Sequence, residues 1–161
     1  MESGVSLPDA PLGVIGAGTM GSGIAQVAAV GGLEVRVFDV AVGAASGALG
    51  RIDGFLNRAV ERGRMEEGAA ARSISRIQAV ESLEELAECF IIVEAVAEKL
   101  EVKQDLFATL ASLCDPTTVF AGPALLANIR NQNEHEALAA RRLATWPSQT
   151  ARSPGWIAPG A

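Results

Sequence analysis

Along the first 121 residues, apolar and polar positions switch between a period of two and a period near 3.6, and the switches divide the chain into elements. Residues 12–15 form a short apolar run between Pro11 and a glycine cluster, the pattern of a strand buried on both faces of a parallel sheet. Residues 22–30 then set Ile24, Val27 and Ala28 at i, i+3, i+4, a helix that Gly31-Gly32 ends. Glu34-Val35-Arg36-Val37-Phe38 alternates and is rich in β-branched residues, which predicts a second strand with Asp39 at its C-terminal end. A long helix is predicted over 41–62, with Leu49, Ile52, Phe55, Leu56 and Ala59 on its apolar stripe and Arg51, Arg58 and Arg62 off it. A second helical piece follows at 65–73, and a short third strand at 77–80. Ser82-Leu83-Glu84-Glu85 has the S-x-x-E form in which hydroxyl and carboxylate each satisfy a free N–H, so a short helix to Glu88 is expected. Cys89-Phe90-Ile91-Ile92-Val93 is apolar at every position and predicts the central strand. Leu100, Leu106, Phe107, Leu110 and Leu113, with Lys103, Gln104 and Thr109 between them, predict an amphipathic helix that Asp115-Pro116 breaks. Thr118-Val119-Phe120 predicts a fifth strand. Strands and helices in this order imply right-handed crossovers, an α/β class and a doubly wound parallel sheet.

Composition adds a boundary. The chain has 161 residues, room for one ordinary domain on a prior of about 150 residues each. Gly 17 and Ala 29 leave 46 side chains no larger than a methyl group, which favours close backbone packing. Up to Ala121 there are 17 acids against 9 bases; from Gly122 onward there are 2 against 4. The last 40 residues also hold four of the seven prolines and both tryptophans, without helix or strand period. The reading is an N-terminal tail at 1–11, a domain at 12–121 and a divergent, partly disordered tail at 122–161, with at best a helix near 134–142.

Charge and cysteines bear on partners and compartment. A net charge of −6 offers no basic surface, so a nucleic-acid partner is not expected. No apolar run is long enough to span a membrane, and residues 1–11 carry Glu2 and Asp9 rather than the basic region of a secretory signal. Cys89 and Cys114 fit no metal-ligand spacing and fall in apolar segments, so they read as buried free thiols in a cytoplasmic protein.

The candidate chemistry lies where the first predicted strand ends. Gly16-x-Gly18-x-x-Gly21 follows that strand and opens a helix. Gly16 permits a tight turn, Gly18 lets a pyrophosphate approach the backbone, and Gly21 lets the helix pack on the strand. The helix start aims free N–H groups and the positive end of its dipole at the phosphates. Such a turn also serves flavin enzymes and, in looser forms, S-adenosylmethionine binders. The context narrows it: Asp39 closes the next strand 23 residues after Gly16, where a carboxylate can accept both hydroxyls of a ribose. The same charge repels a 2′-phosphate, and Val40 rather than an arginine follows, so NAD is favoured over NADP.

Val14-Ile15-Gly16-Ala17-Gly18-Thr19-Met20-Gly21-Ser22-Gly23-Ile24-Ala25-Gln26, then Asp39, Ile92-Val93-Glu94-Ala95-Val96-Ala97-Glu98 and Leu100-Glu101-Val102-Lys103 resemble the N-terminal NAD-binding domain of 3-hydroxyacyl-CoA dehydrogenases. The resemblance runs from about residue 12 to 121 and is nearest to bacterial members acting on hydroxybutyryl-CoA or hydroxyadipyl-CoA. It implies a Rossmann fold and NAD as cofactor. It further implies that Gly16, Ala17, Gly18, Thr19, Met20 and Gly21 hold the pyrophosphate, Asp39 the adenosine ribose, and that Glu98 and Lys103 also contact the dinucleotide. Without it, Lys103 reads as a solvated helix charge. Glu94 admits a purely structural role. Arg58, Arg62 and Arg64 read as a solvated helix face in preference to a site for coenzyme A phosphates.

Members of that family oxidise the 3-hydroxyl of an acyl-CoA, with NAD taking the hydride and a histidine, oriented by a glutamate, taking the proton. The resemblance ends before those residues. The S-N-T-S stretch of the family is replaced by Gly122-Pro123-Ala124-Leu125-Leu126, and no H-F-F-N-P sequence occurs. His135, the single histidine, stands in a polar stretch and reads as a surface residue. No catalytic residue is assigned, no turnover is expected from this chain alone, and the family's helical, dimer-forming C-terminal domain has no counterpart. Three readings therefore stand: the cofactor part of such a dehydrogenase with altered coding sequence beyond residue 121, an NAD-binding module without turnover or a nonfunctional fragment, and, less favoured, a hydroxyacid-type oxidoreductase.

Overall fold

The computed structural model describes the backbone of residues 9–96 and 100–122, and the side chains of 9–96 and 105–122. Of the expected tail at 122–161, residues 123–161, with His135, lie outside the described residues, as does Glu98. Five strands, β1 (Leu12–Ile15), β2 (Val35–Phe38), β3 (Ile77–Val80), β4 (Ile91–Glu94) and β5 (Val119–Ala121), form one sheet in the order β3-β2-β1-β4-β5. Every pairing is parallel. Four helices connect them: α1 (Thr19–Val30), α2 (Ala44–Glu61), α3 (Glu67–Ser75) and α4 (Leu100–Leu113). The predicted α/β, doubly wound, Rossmann-type sheet is thus what the chain forms, with β1 in the middle and the chain reversing direction of growth between β1 and β4.

Side-chain alternation along each strand feeds two cores. Leu12, Val14, Val35, Val37 and Ile77 join Ala25 and Ala29 of α1 and Ala45, Ala48, Ile52 and Leu56 of α2 on one face. Ile15, Phe38, Val80 and Ile92 meet Leu86, Cys89, Leu110 and Cys114 on the other. Each fully buried Leu or Ile contributes roughly 1.5–3 kcal/mol relative to leaving it in water. Phe107 of α4 and Phe120 of β5 pack edge to face at 6.0 Å between ring centres, which ties α4 to β5.

The structure corrects the sequence reading at several positions. α1 begins at Thr19, three residues earlier than expected, directly on the glycine turn. Its buried face is Gly21, Ser22, Ala25 and Ala29, and Val27 is 72 % exposed. Small residues take the buried side because the helix backbone lies close against β1, and Val27 sits two residues, about 200°, round from Ala25. Phe55 likewise leaves the expected stripe: it is 60 % exposed, and the Arg58 guanidinium covers its ring at 5.1 Å. The helices expected at 41–62 and 65–73 run over Ala44–Glu61 and Glu67–Ser75. In place of a helix to Glu88 there is one 3₁₀ turn, Glu84–Leu86, with its N-cap at Leu83 and no side-chain cap. The glutamate half of the expected box does form, since the Glu85 carboxylate accepts from the N–H of Ser82 at 3.1 Å and of Glu81 at 2.9 Å.

Cys89 and Cys114 are both buried and form no disulfide, as expected. Burial pushes the Cys89 thiol from 9.0 up to about 11, against a smaller opposing pull from Arg36. Thiol reagents are therefore expected to leave both cysteines unlabelled in the folded chain at neutral pH and to label both in denaturant. Because the native pKa is raised, the linked stability is present below the unfolded value and is lost as pH climbs from about 9 to 11. A urea midpoint that falls over that range in the parent chain, and falls less in Cys89→Ala, checks the sign.

Candidate functional site

The parallel register brings the ends of β1, β2 and β4 to one level. Ile15 pairs with Phe38 on one side and with Glu94 on the other. The ladder continues one step beyond the strands: Gly16 N–H donates to Phe38 O at 2.8 Å, and Ala95 N–H donates to Ile15 O at 2.8 Å. The chain after β1 is thereby held between the chains after β2 and β4. There a cleft of about 470 Å³ opens, lined by Gly16, Gly18, Thr19, Met20, Asp39, Val40, Ala95 and Val96. It lies outside the C-terminal strand ends at the point where the sheet changes direction, the expected ligand position in such folds.

Each glycine of the turn answers to a different constraint. Gly16 has φ +101°, and a Cβ there would stand 2.7 Å from Val96 Cγ1 and 3.0 Å from the Ala95 backbone. At Gly21 a Cβ would come within 1.7 Å of Gly16 O, so any side chain would force α1 off the turn. A Cβ at Gly18 would meet nothing within 4 Å, leaving that face of the backbone open to the cleft. Gly18 is also the N-cap of α1, whose first turn carries no acidic side chain. The free N–H groups at this end and the helix dipole favour an anion in the cleft.

Asp39 is fixed by the backbone on both sides. Its Oδ2 accepts the Ala17 N–H at 2.7 Å and its Oδ1 the Ala41 N–H at 2.9 Å. A carboxylate has about four acceptor positions, so two remain for hydroxyl donors from the cleft. Glu94 is different: it is 0 % exposed, and its Oε1 accepts the Val96 N–H at 2.7 Å. This shapes the Ala95–Val96 wall of the cleft and favours the structural role for Glu94.

Of the residues expected in the site, Gly16, Gly18, Thr19, Met20 and Asp39 line the cleft, while Ala17 and Gly21 are buried behind it. Lys103 belongs to α4, and its side chain lies outside the described residues. Val40, Ala95 and Val96 were not expected. The two that follow β4 were reachable by noting that the strand paired to β1 across the change of direction must supply the second wall. Arg51 was read only as lying off the apolar stripe of its helix, and its Nη2 donates to Ala17 O at 2.6 Å. Among the described residues, no group of three or more His, Cys, Asp or Glu could hold a metal ion, and no helix is long and apolar enough to cross a membrane.

Sheet order, glycine turn and the acid closing β2 together define the class: an α/β dinucleotide-binding domain. Residues 11–132 match the family model for the 3-hydroxyacyl-CoA dehydrogenase NAD binding domain, and the chain belongs to that family. The 3-hydroxyadipyl-CoA dehydrogenase of Escherichia coli (strain K12) is 42 % identical over 106 residues, covering 66 % of this chain and 22 % of that protein. The 3-hydroxybutyryl-CoA dehydrogenase of Bradyrhizobium diazoefficiens is 40 % identical over 110 residues, covering 68 % and 38 %. The crystal structure of 3-hydroxybutyryl-CoA dehydrogenase from Escherichia coli K12 superposes with a TM-score of 0.69 at 39 % identity, covering 72 % of this chain and 25 % of that one. The matches thus span about a fifth to two fifths of the length of these curated relatives.

Proposed function

We propose that the cleft binds NAD through the residues the sequence singled out. The observation that carries this is the open backbone at Gly18, at the N-terminus of α1, with the doubly anchored Asp39 carboxylate across the same cleft. The turn from Gly16 to Gly21, including Ala17, Thr19 and Met20, would hold the pyrophosphate, and the two remaining acceptor positions of Asp39 the adenosine ribose. Glu98 and Lys103 are proposed as further dinucleotide contacts on the strength of the resemblance. The fixed negative charge of Asp39 favours NAD over NADP.

When bound, NAD would supply the hydride acceptor for oxidation of the 3-hydroxyl of an acyl-CoA. The part proposed for this chain is to bind and orient that acceptor within residues 12–121, the proposed domain, while the proton-accepting histidine and its glutamate are not assigned to any residue here. The names of the relatives support an acyl-CoA substrate of the hydroxybutyryl or hydroxyadipyl kind; a place in fatty-acid or aromatic-acid degradation is proposed on the resemblance alone. Two buried cysteines that form no disulfide support a reducing, cytoplasmic setting. A dimer, as formed by the family's helical domain, is proposed for the complete enzyme only.

Calorimetric titration of the chain with NAD tests the reading. A saturable heat with one site per chain is expected, and NADP is expected to bind more weakly. Absence of heat at millimolar NAD would remove the proposal. An absorbance assay at the nicotinamide wavelength with a 3-hydroxyacyl-CoA separates binding from turnover, and no rate is expected from this chain by itself.

A further inference from the structure

α2 reaches back over the glycine turn through one side chain. Arg51 Nη2 donates to Ala17 O at 2.6 Å and lies 3.5 Å from Ser22 Oγ. The Ser22 hydroxyl itself donates to Ala17 O at 3.2 Å. The N–H of the same residue goes to Asp39 Oδ2 at 2.7 Å. Ala17, 2 % exposed, is therefore gripped from both ends, by an acid from the end of β2 and a cation from the second turn of α2.

The carbonyl of Ala17 and the N–H of Gly18 belong to one peptide group. A trans peptide is planar and points its oxygen and its hydrogen in opposite directions. Anchoring the oxygen therefore aims the hydrogen away from Arg51, on the side where Gly18 lines the cleft. A hydrogen bond from a cation also polarises the peptide, which strengthens its N–H as a donor.

We propose that Arg51 is a positioning residue for the phosphate turn. Without touching the dinucleotide, it fixes the Ala17–Gly18 peptide so that the Gly18 N–H is set to receive a pyrophosphate oxygen. The proposal rests on the reading of the cleft as an NAD site. It also explains why an arginine from α2 turns to a buried carbonyl rather than to water.

The test compares the full chain with Arg51→Met and Arg51→Lys, titrating NAD, ADP and adenosine. Arg51→Met is expected to weaken NAD and ADP about tenfold, equivalent to ~1.4 kcal/mol, and to leave adenosine within about twofold. Arg51→Lys keeps a cation that reaches the carbonyl and is expected to restore most of the loss. A merely structural role would lower the melting temperature and weaken all three ligands alike. Parental NAD affinity in Arg51→Met, equal losses on adenosine, or no rescue by lysine would each overturn the proposal. If the parent chain takes up no NAD, the reading of the cleft fails first and the proposal falls with it. Should Arg51→Met not fold, Arg51→Lys against Arg51→Gln makes the same comparison.

Discussion

Gly21→Ala is expected to abolish measurable NAD binding and to lower the melting temperature by roughly 5–15 °C, the range for about 1–3 kcal/mol of overpacking in a domain of this size. The added Cβ would lie 1.7 Å from Gly16 O and 3.3 Å from Val14 Cγ1, so backbone rather than a side-chain tip must move. What moves is the contact between the start of α1 and the turn, and with it the geometry that aims the N–H groups into the cleft. Gly23→Ala is the matched control. It changes a glycine of the same helix whose Cβ would meet nothing within 4 Å, and it is expected to hold or raise the melting temperature by the helix-propensity gain of alanine, up to about 1 kcal/mol. Equal thermal behaviour of the two variants would contradict the packing argument.

Asp39→Ala ranks second, with an expected loss of about a hundredfold in NAD affinity, the order for two hydrogen bonds to a charged acceptor. It removes the acceptors proposed for the ribose. It also frees the N–H groups of Ala17 and Ala41, so the turn loosens as well. Asp39→Asn separates the parts, since an amide oxygen can replace only one acceptor and carries no charge. Parallel titrations with NAD and NADP read out the electrostatic share: the preference for NAD is expected to shrink in both variants because nothing then repels the 2′-phosphate. An unchanged preference would show that selectivity resides elsewhere.

The strands were legible because each is a short apolar run whose neighbours are turn residues, and a parallel sheet buried on both faces needs no more than that. Residues 12–15 and 77–80 were placed to the residue, and the others within two. The glycine turn and Asp39 were legible for a different reason: their spacing is dictated by a ligand and not by the core. What escaped were features in which size or reach outweighs hydrophobicity. In α1, alanines and glycine occupy the buried face while Val27 faces water, so a count of apolar bulk points to the wrong side. Phe55 escaped because Arg58, one turn on, can cover an aromatic ring at the surface. Arg51 escaped because a side chain that reaches six bonds from its Cα can cross from α2 to a carbonyl 34 residues away, and no periodicity records that.

The pairing of β1 with β4 has a kinetic consequence. Leu12 must find Ile91, about eighty residues further along, before the cleft has its second wall. Closing so long a loop costs entropy before any contact repays it, and parallel pairing at this separation is slow. During synthesis at about 5–20 residues per second, β1 waits roughly 4–16 s for β4 to be made. The second wall of the cleft therefore forms only after β1, β2 and β3 have been made, and a nucleotide that binds the closed cleft is expected to slow unfolding rather than to nucleate the fold.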